Sequence, residues 1–256
     1  MEFRPIVADE VETFLRLLCD VFELDIGRAS SVFTSEPFFD LNRKWAAFED
    51  GQMRAILTTT PLIFGWGRAI GISGVATHPR FRSRGIAARL LDAAIDQAVA
   101  DDEGAAYLFA GDPRLYAKRG FKVVDEVIRG PIAVQKGFVS LPAMASEEVR
   151  SHYENWVAGS DDRLRRDLTR WKLWDWHMRP CEPFGGGYLC LEVGVVREAI
   201  VPMRAEAWPV APGTEWIGLK GLTQEAGVPL ERTISEAFVM ARNTDRLPQM
   251  FITDQF

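Results

Sequence analysis

The 256-residue sequence lacks any apolar run near the roughly 20 residues that span a bilayer, so no membrane-spanning helix is predicted. Its three cysteines, Cys19, Cys181 and Cys190, have neither CxxC nor histidine-paired spacing. They are interpreted as reduced core residues, and no metal site is predicted. The opening ten residues lack a basic segment followed by an apolar one, so no signal peptide is expected. Together these absences predict a cytoplasmic protein.

Basic residues are also fewer than acidic ones, 30 against 36, which gives a formal net charge of −6. This balance argues against nucleic acid as the main partner and mildly favours a cationic small molecule. The composition is 47% hydrophobic and 26% charged, which is ordinary for a folded domain. A chain of this length buries about 70 to 75% of its unfolded surface, enough for one large or two smaller cores.

The first half of the chain alternates between strand and helix patterns. Apolar residues recur at helical spacing over Val11, Phe14, Leu15 and Leu18. Strands are predicted at residues 3–7, 44–49, 53–64, 68–77 and 105–110, a helix at 84–100, and a closing hairpin at 121–127 and 132–135. The pattern predicts an α+β domain over residues 1–135, with a parallel strand–helix–strand unit beside antiparallel strands.

The composition and the pattern of predicted elements change near residue 136. Strands are predicted at residues 188–192, 198–203, 216–219 and 237–242. Residues 160–170 are predicted as a helical segment in which Asp161, Asp162, Arg163, Arg165 and Arg166 form a solvated charged face. Residues 136–256 are therefore predicted to form a second, smaller α+β domain.

One segment of the first half has an anion-binding pattern, GVATHPRFRSRGIAARLL from Gly74 to Leu91. Pro79 ends a strand, and Gly85 allows close approach of a bulky anion at the start of a helix. The backbone amides of residues 83–87 lack partners within that helix, and three arginines in the loop add full positive charge. The alternative interpretation is a solvated basic loop before an ordinary surface helix.

These residues resemble the GNAT superfamily of acyl-CoA-dependent N-acetyltransferases. The motifs on which this resemblance rests are VATHP at residues 75–79, RSRGIA at 82–87, and LY at 115–116 followed by GF at 120–121. The resemblance implies a GNAT fold, acetyl-CoA as co-substrate, pantetheine along the first motif and pyrophosphate at the second. The implied cofactor-binding residues are Val75, Ala76, Thr77, Arg82, Ser83, Arg84, Gly85, Ile86 and Ala87. The sequence of these motifs also resembles the enhanced intracellular survival (Eis) group, of which this chain would be a shortened relative.

Tyr116 is the predicted catalytic acid. In acetyl transfer the amine attacks the thioester, and a phenol near the sulfur can protonate the departing thiolate. GNAT proteins resembling this one place a tyrosine here for that role. The alternative is an amphipathic tyrosine that packs on the core with its hydroxyl at the surface.

A general base is harder to assign, because the strand at residues 69–77 contains no carboxylate. The candidates are Glu36, Asp40, His78 and the main-chain carboxylate of Phe256. The apolar tail MFITDQF suggests a docked end of the chain, and Eis-like proteins direct a terminal carboxylate into the active site. Phe256 is therefore the predicted proton acceptor, with an ordinary exposed or edge-docked terminus as the alternative.

The resulting prediction is an N-acetyltransferase that moves an acetyl group from acetyl-CoA to a primary amine by direct attack in a ternary complex. A small cationic amine is the favoured acceptor. The competing hypothesis is a non-catalytic acyl-CoA-binding sensor or interaction module.

Overall fold

The computed structural model describes residues 1–133, 142–177, 180–203 and 208–256. Their strands are β1 Glu2–Pro5, β2 Lys44–Glu49, β3 Gln52–Phe64, β4 Gly67–Thr77, β5 Ala105–Ala110, β6 Lys122–Pro131, β7 Cys181–Phe184, β8 Gly187–Glu192, β9 Val195–Ile200, β10 Glu215–Leu219 and β11 Ile234–Arg242. The helices are α1 Val11–Phe22, α2 Ile26–Phe33, α3 Ile86–Ala100, α4 Arg114–Ala117, α5 Ser146–Val157, α6 Leu168–Trp176 and α7 Lys220–Glu225.

The strands form one mixed sheet in the order β1-β2-β3-β4-β5-β11-β6-β10-β9-β8-β7. Strands β2, β3 and β4 are antiparallel, and α3 connects β4 to the parallel strand β5. The β2–β3 turn is made by Asp50 and Gly51, both in the left-handed region with φ of 52° and 71°. The predicted α+β class, with its parallel unit beside antiparallel strands, is confirmed.

Strand β11 lies between β5 and β6 and is antiparallel to both. The predicted hairpin of residues 121–127 with 132–135 is therefore wrong: β6 continues to Pro131 and pairs with β11 and β10. Of the predicted return strand, residues 134 and 135 lie outside the described residues. Strand β11, from the segment after the predicted domain boundary at residue 135, thus lies in the middle of the sheet beside strands from the segment before it.

Helices cover both faces of the sheet. Ile86 and Leu90 of α3 pack in one core cluster with Leu57 and Ile70 of the sheet. On the opposite face, α1 covers the β2–β4 end, whereas α5, α6 and the last residues of the chain cover the centre. A fourth core cluster lies around Trp216, in the strands that follow residue 180. The sheet is thus a platform with α3 below it and α1, α6 and the chain end above it.

Among the helices of the described residues, none has the length and apolarity needed to cross a membrane. The same ranges contain no group of three His, Cys, Asp or Glu side chains arranged to hold a metal ion.

Candidate active site

A cleft opens where β4 and β5 diverge. Their parallel pairing runs from Ala69 with Ala105 to Ile72 with Leu108. The register between β3 and β4 then shifts, and Gly74 in β4 takes a φ of 59°, which favours glycine. The second half of β4 therefore presents backbone groups that β5 does not bind.

A cavity of about 550 Å³ lies at this divergence and is here named the loop cavity. Eight of the nine predicted cofactor residues line it, and so does Tyr116. The exception is Arg84, whose guanidinium lies 5.0 Å from the ring centre of Phe81. Side chains that the motif did not indicate complete the wall. They are Val21, Phe81, Ala88, Leu91, Leu115 and Arg119.

The basic loop has the backbone form that anion binding requires. Gly85 is the N-cap of α3 with a φ of 68°, and no side chain caps the helix. The first-turn N–H groups of α3 therefore have neither an intrahelical acceptor nor a capping oxygen. A Cβ at Gly85 would meet nothing within 4 Å, so the glycine is required by its conformation rather than by lack of space.

Tyr116 lies on the short helix α4, at the edge of the loop cavity. Its ring packs edge-on against Phe121, with ring centres 6.0 Å apart. Burial raises the pKa of the Tyr116 phenol above its ordinary value. Among the described residues its hydroxyl has no hydrogen-bond partner, so it is a neutral donor that remains available to a ligand.

A second cavity of about 450 Å³, the Phe256 cavity, adjoins the first along β4. Ser73 and Gly74 line the Phe256 cavity, whereas the next residue, Val75, lines the loop cavity. Consecutive residues of β4 thus line the two cavities, at the point where β4 leaves β5.

The structure separates the four candidate bases. Glu36 and Phe256 line the Phe256 cavity. The Asp40 carboxylate instead accepts a hydrogen bond of 2.9 Å from the Asn42 amide, at the start of a short 3-10 helix. His78 accepts a 3.3 Å hydrogen bond from the Arg80 amide. Neither Asp40 nor His78 is among the lining residues of either cavity.

The side chain of Phe256 packs against the sheet at a glycine of β4, Gly71. A Cβ at Gly71 would lie 2.3 Å from the Phe256 ring, so the ring packs directly on the β4 backbone. Phe109 of β5 also contacts the Phe256 ring, with ring centres 5.4 Å apart. In the sequence, Gly71 is indistinguishable from any strand glycine, and only the docked ring explains it.

A buried ion cluster fixes the segment before Phe256. Arg166 donates to Asp254 at 2.8 and 2.9 Å and to Glu198 at 2.6 and 3.0 Å. Tyr188 and Thr253 also bind Glu198. The three charged side chains have at most 1% of their surface exposed.

The prediction of a solvated face on residues 160–170 is therefore wrong for Arg166. Residues 163–167 are not helical, and the next helix, α6, begins only at Leu168. The extended backbone around Arg166 directs it inward, where two sequence-distant carboxylates supply the compensating charge.

Residues 2–124 match the family model described as an acetyltransferase (GNAT) domain. This part of the chain is therefore a GNAT acetyltransferase domain, as predicted, and acetyl-CoA as co-substrate agrees with that family. No match was found among curated protein sequences.

Solved structures extend the likeness in fold to nearly the whole chain. A GCN5-related N-acetyltransferase from Kribbella flavida superimposes with a TM-score of 0.70 at 14% identity, covering 94% of this chain and 71% of that one. Eis1 from Mycobacterium abscessus gives 0.62 at 13% identity, with 93% and 73% coverage. A putative acetyltransferase from Pyrococcus horikoshii gives 0.62 at 14%, with 98% and 92% coverage. Superpositions at such low identities show that the fold is shared and nothing more. The closer relation to the Eis group stays a prediction.

Proposed function

We propose that this protein is an N-acetyltransferase that transfers the acetyl group of acetyl-CoA to a primary amine. The observation that carries the proposal is the convergence of the strand end, the glycine loop and Tyr116 on one cavity. The pyrophosphate would bind the amides at the start of α3, and the pantetheine would extend along Val75–Thr77. The thioester would then face the junction between the two cavities.

The acceptor would occupy the Phe256 cavity, on the far side of that junction. Direct attack by a bound amine needs the two substrates held together, which supplies much of the rate. Tyr116 would protonate the departing thiolate. The carboxylate of Phe256, or that of Glu36 across the same cavity, would accept the amine proton, directly or through water.

The decisive experiment measures coenzyme A release by a thiol reagent, with acetyl-CoA and a panel of primary amines, beside calorimetric binding of acetyl-CoA. Amine-dependent release supports the enzyme. Tight binding of acetyl-CoA with no release from any amine would instead support the sensor hypothesis, which the absent β4 carboxylate motivates.

The role of the glycine loop can be tested with a matched pair of variants. Gly85→Ala and Gly51→Ala both place a side chain at a φ near 70° in open space. Each is expected to cost about 1 to 2 kcal/mol of folding stability. Only Gly85→Ala should weaken acetyl-CoA binding in calorimetry, on the order of ten-fold, equal to about 1.4 kcal/mol. Equal affinities for the two variants would contradict pyrophosphate binding at this loop.

The role of Phe256 can be tested through the glycine beneath it. Gly71→Ala should displace the ring, at a cost of about 1 to 3 kcal/mol, and lower turnover at least ten-fold. Gly104→Ala is the control, since its Cβ would meet nothing within 4 Å. Adding two glycines after Phe256 moves the carboxylate and leaves the ring in place. Full turnover in that extended protein would assign the base to Glu36, which Glu36→Gln then tests.

A further inference from the structure

A buried lysine lies in the Phe256 cavity. Lys44 begins β2, only 4% of its surface is exposed, and it lines the cavity. Its ammonium lies 5.1 Å from the ring centre of Phe33. Among the described residues it forms no hydrogen bond and no ion pair, although the carboxylates of Glu36 and Asp40 attract it from beyond ion-pair distance. Burying an unpaired charge is costly, so a ligand that pairs with it would recover that free energy.

Three hydroxyl-bearing residues, Thr58, Thr60 and Ser73, line the same cavity as Lys44. Lys44 pairs with Thr58 across β2 and β3, and Thr58 pairs with Ser73 across β3 and β4. Thr60, beside Thr58 on β3, lines the cavity as well. The three hydroxyls have no side-chain hydrogen bonds in the described part of the chain. The floor of the cavity therefore combines one cation with three neutral donors, which is a set that suits a carboxylate.

A second buried cation lines the cavity wall. Arg170 of α6 is 3% exposed and donates to two main-chain oxygens, those of Asp254 at 3.0 Å and Pro61 at 2.9 Å. Both bonds are to neutral acceptors, so its charge is not paired with any carboxylate of the described residues. The cavity thus has a cationic floor and wall, whereas Glu36 is the acidic side chain among its lining residues.

We infer that the acceptor is a zwitterionic amine, an amino acid whose carboxylate binds Lys44 while its amino group faces the thioester. This inference rests on the proposed acetyl transfer and names its acceptor class. Neighbouring strands are about 4.8 Å apart, so Lys44 and Ser73 lie roughly 10 Å apart along the cavity floor. Such a span leaves room for a small amino acid between the ammonium and the cavity junction. It replaces the preference for a cationic amine, which rested only on the net charge of the whole chain.

The test compares each amino acid with its own carboxamide. The probes are leucine and leucinamide, and 4-aminobutyrate and 4-aminobutanamide, with spermidine as the cationic probe and O-phosphoethanolamine beside ethanolamine as the phosphate probe. The measured quantity is the ratio of kcat/KM for acid over amide, from coenzyme A release. Wild-type protein should favour at least one acid, and Lys44→Met should lower that ratio about 10- to 100-fold. Lys172→Met, on an exposed face of α6, is the control and should leave it unchanged.

Lys44→Met should also have a Tm at or above that of the wild type, because it removes an unpaired buried charge. If Lys44→Met fails to fold, the ratio of kcat/KM for acid over amide is measured for Lys44→Arg instead and is compared with the ratio of the wild type. An equal loss for acids and amides would overturn the inference, since Lys44 would then serve the reaction and not the carboxylate. So would a preference for spermidine or for O-phosphoethanolamine over every amino acid.

Binding measurements separate this inference from the proposed function. Calorimetry with the protein saturated by coenzyme A reports whether leucine or 4-aminobutyrate binds more tightly than its amide. Lys44-dependent acid binding without coenzyme A release would overturn acetyl transfer and keep the carboxylate site. Coenzyme A release with amides and acids alike, unchanged by Lys44→Met, would keep acetyl transfer and overturn the site.

Discussion

Replacing Arg166 with methionine is expected to lower the free energy of unfolding by about 3 to 5 kcal/mol, because it leaves two carboxylates buried without a cation. Glu198 and Asp254 both lose their charged partner, and both carboxylates are buried. The loss should be visible as a lower midpoint in urea. The control is Arg165→Met at the next position, where the side chain is 49% exposed and its ion pair with Asp161 is 3.7 Å long. That variant should stay within about 0.5 kcal/mol of the wild type.

The same variant has a defined pH dependence. Burial would raise the pKa of Glu198, but Arg166 outweighs it and leaves that pKa below its ordinary value. In the wild type this contribution is present above the unfolded pKa of about 4.3 and is lost as the pH falls through the lower folded pKa. In Arg166→Met the arginine charge no longer opposes burial, and the hydrogen bonds from Tyr188 and Thr253 are the weaker influences that still lower the pKa of Glu198. Acid therefore protonates Glu198 more readily and relieves the penalty. The stability gap should therefore be largest near pH 7 and shrink toward pH 4; a constant gap would contradict this account of the cluster.

Replacing Tyr116 with phenylalanine is expected to lower kcat by about 10²- to 10⁴-fold, the usual contribution of a positioned acid. The ring and its edge-on contact with Phe121 are retained, so acetyl-CoA affinity and Tm should change little. Tyr107→Phe is the control. It removes a 3.1 Å hydrogen bond to the Arg246 carbonyl at a site outside both cavities, which should cost about 1 kcal/mol of stability and no turnover.

A pH profile distinguishes an acid from a structural phenol. Burial raises the pKa of Tyr116, so its protonated, active form persists beyond the ordinary tyrosine range and the rate should fall only at strongly alkaline pH. Tyr116→Phe should lose that alkaline limb. A variant with turnover within two-fold of the wild type, or with the same alkaline limb, would remove Tyr116 from the mechanism.

The loop cavity was predictable from the sequence because its residues are nearly contiguous. Strand end, glycine loop and helix start all fall between Val75 and Ala87, and local backbone preferences alone bring them to one place. Tyr116 was identified from its short spacing along the sequence to Gly120 and Phe121, which precede the next strand. These features depend on short-range geometry, which a sequence displays directly.

The acceptor side was not predictable to the same degree, since its residues come from distant parts of the chain. Lys44 begins an apolar strand and was indistinguishable from a surface lysine at a strand end. Arg166 lies in a charged segment whose pattern indicates solvent, and only Glu198 and Asp254 make its burial possible. No local pattern shows that β11 enters the sheet between β5 and β6.

The central position of β11 has a consequence for synthesis on the ribosome. Strand β5 leaves the exit tunnel more than a hundred residues before its neighbour β11, so the middle of the sheet stays open while the intervening segments emerge. Pairings over such sequence separations slow folding, because loop closure precedes any gain in contacts. A nascent chain stalled before Ile234 would expose the unpaired edges of β5 and β6, which makes it a natural client for chaperones that bind strand edges.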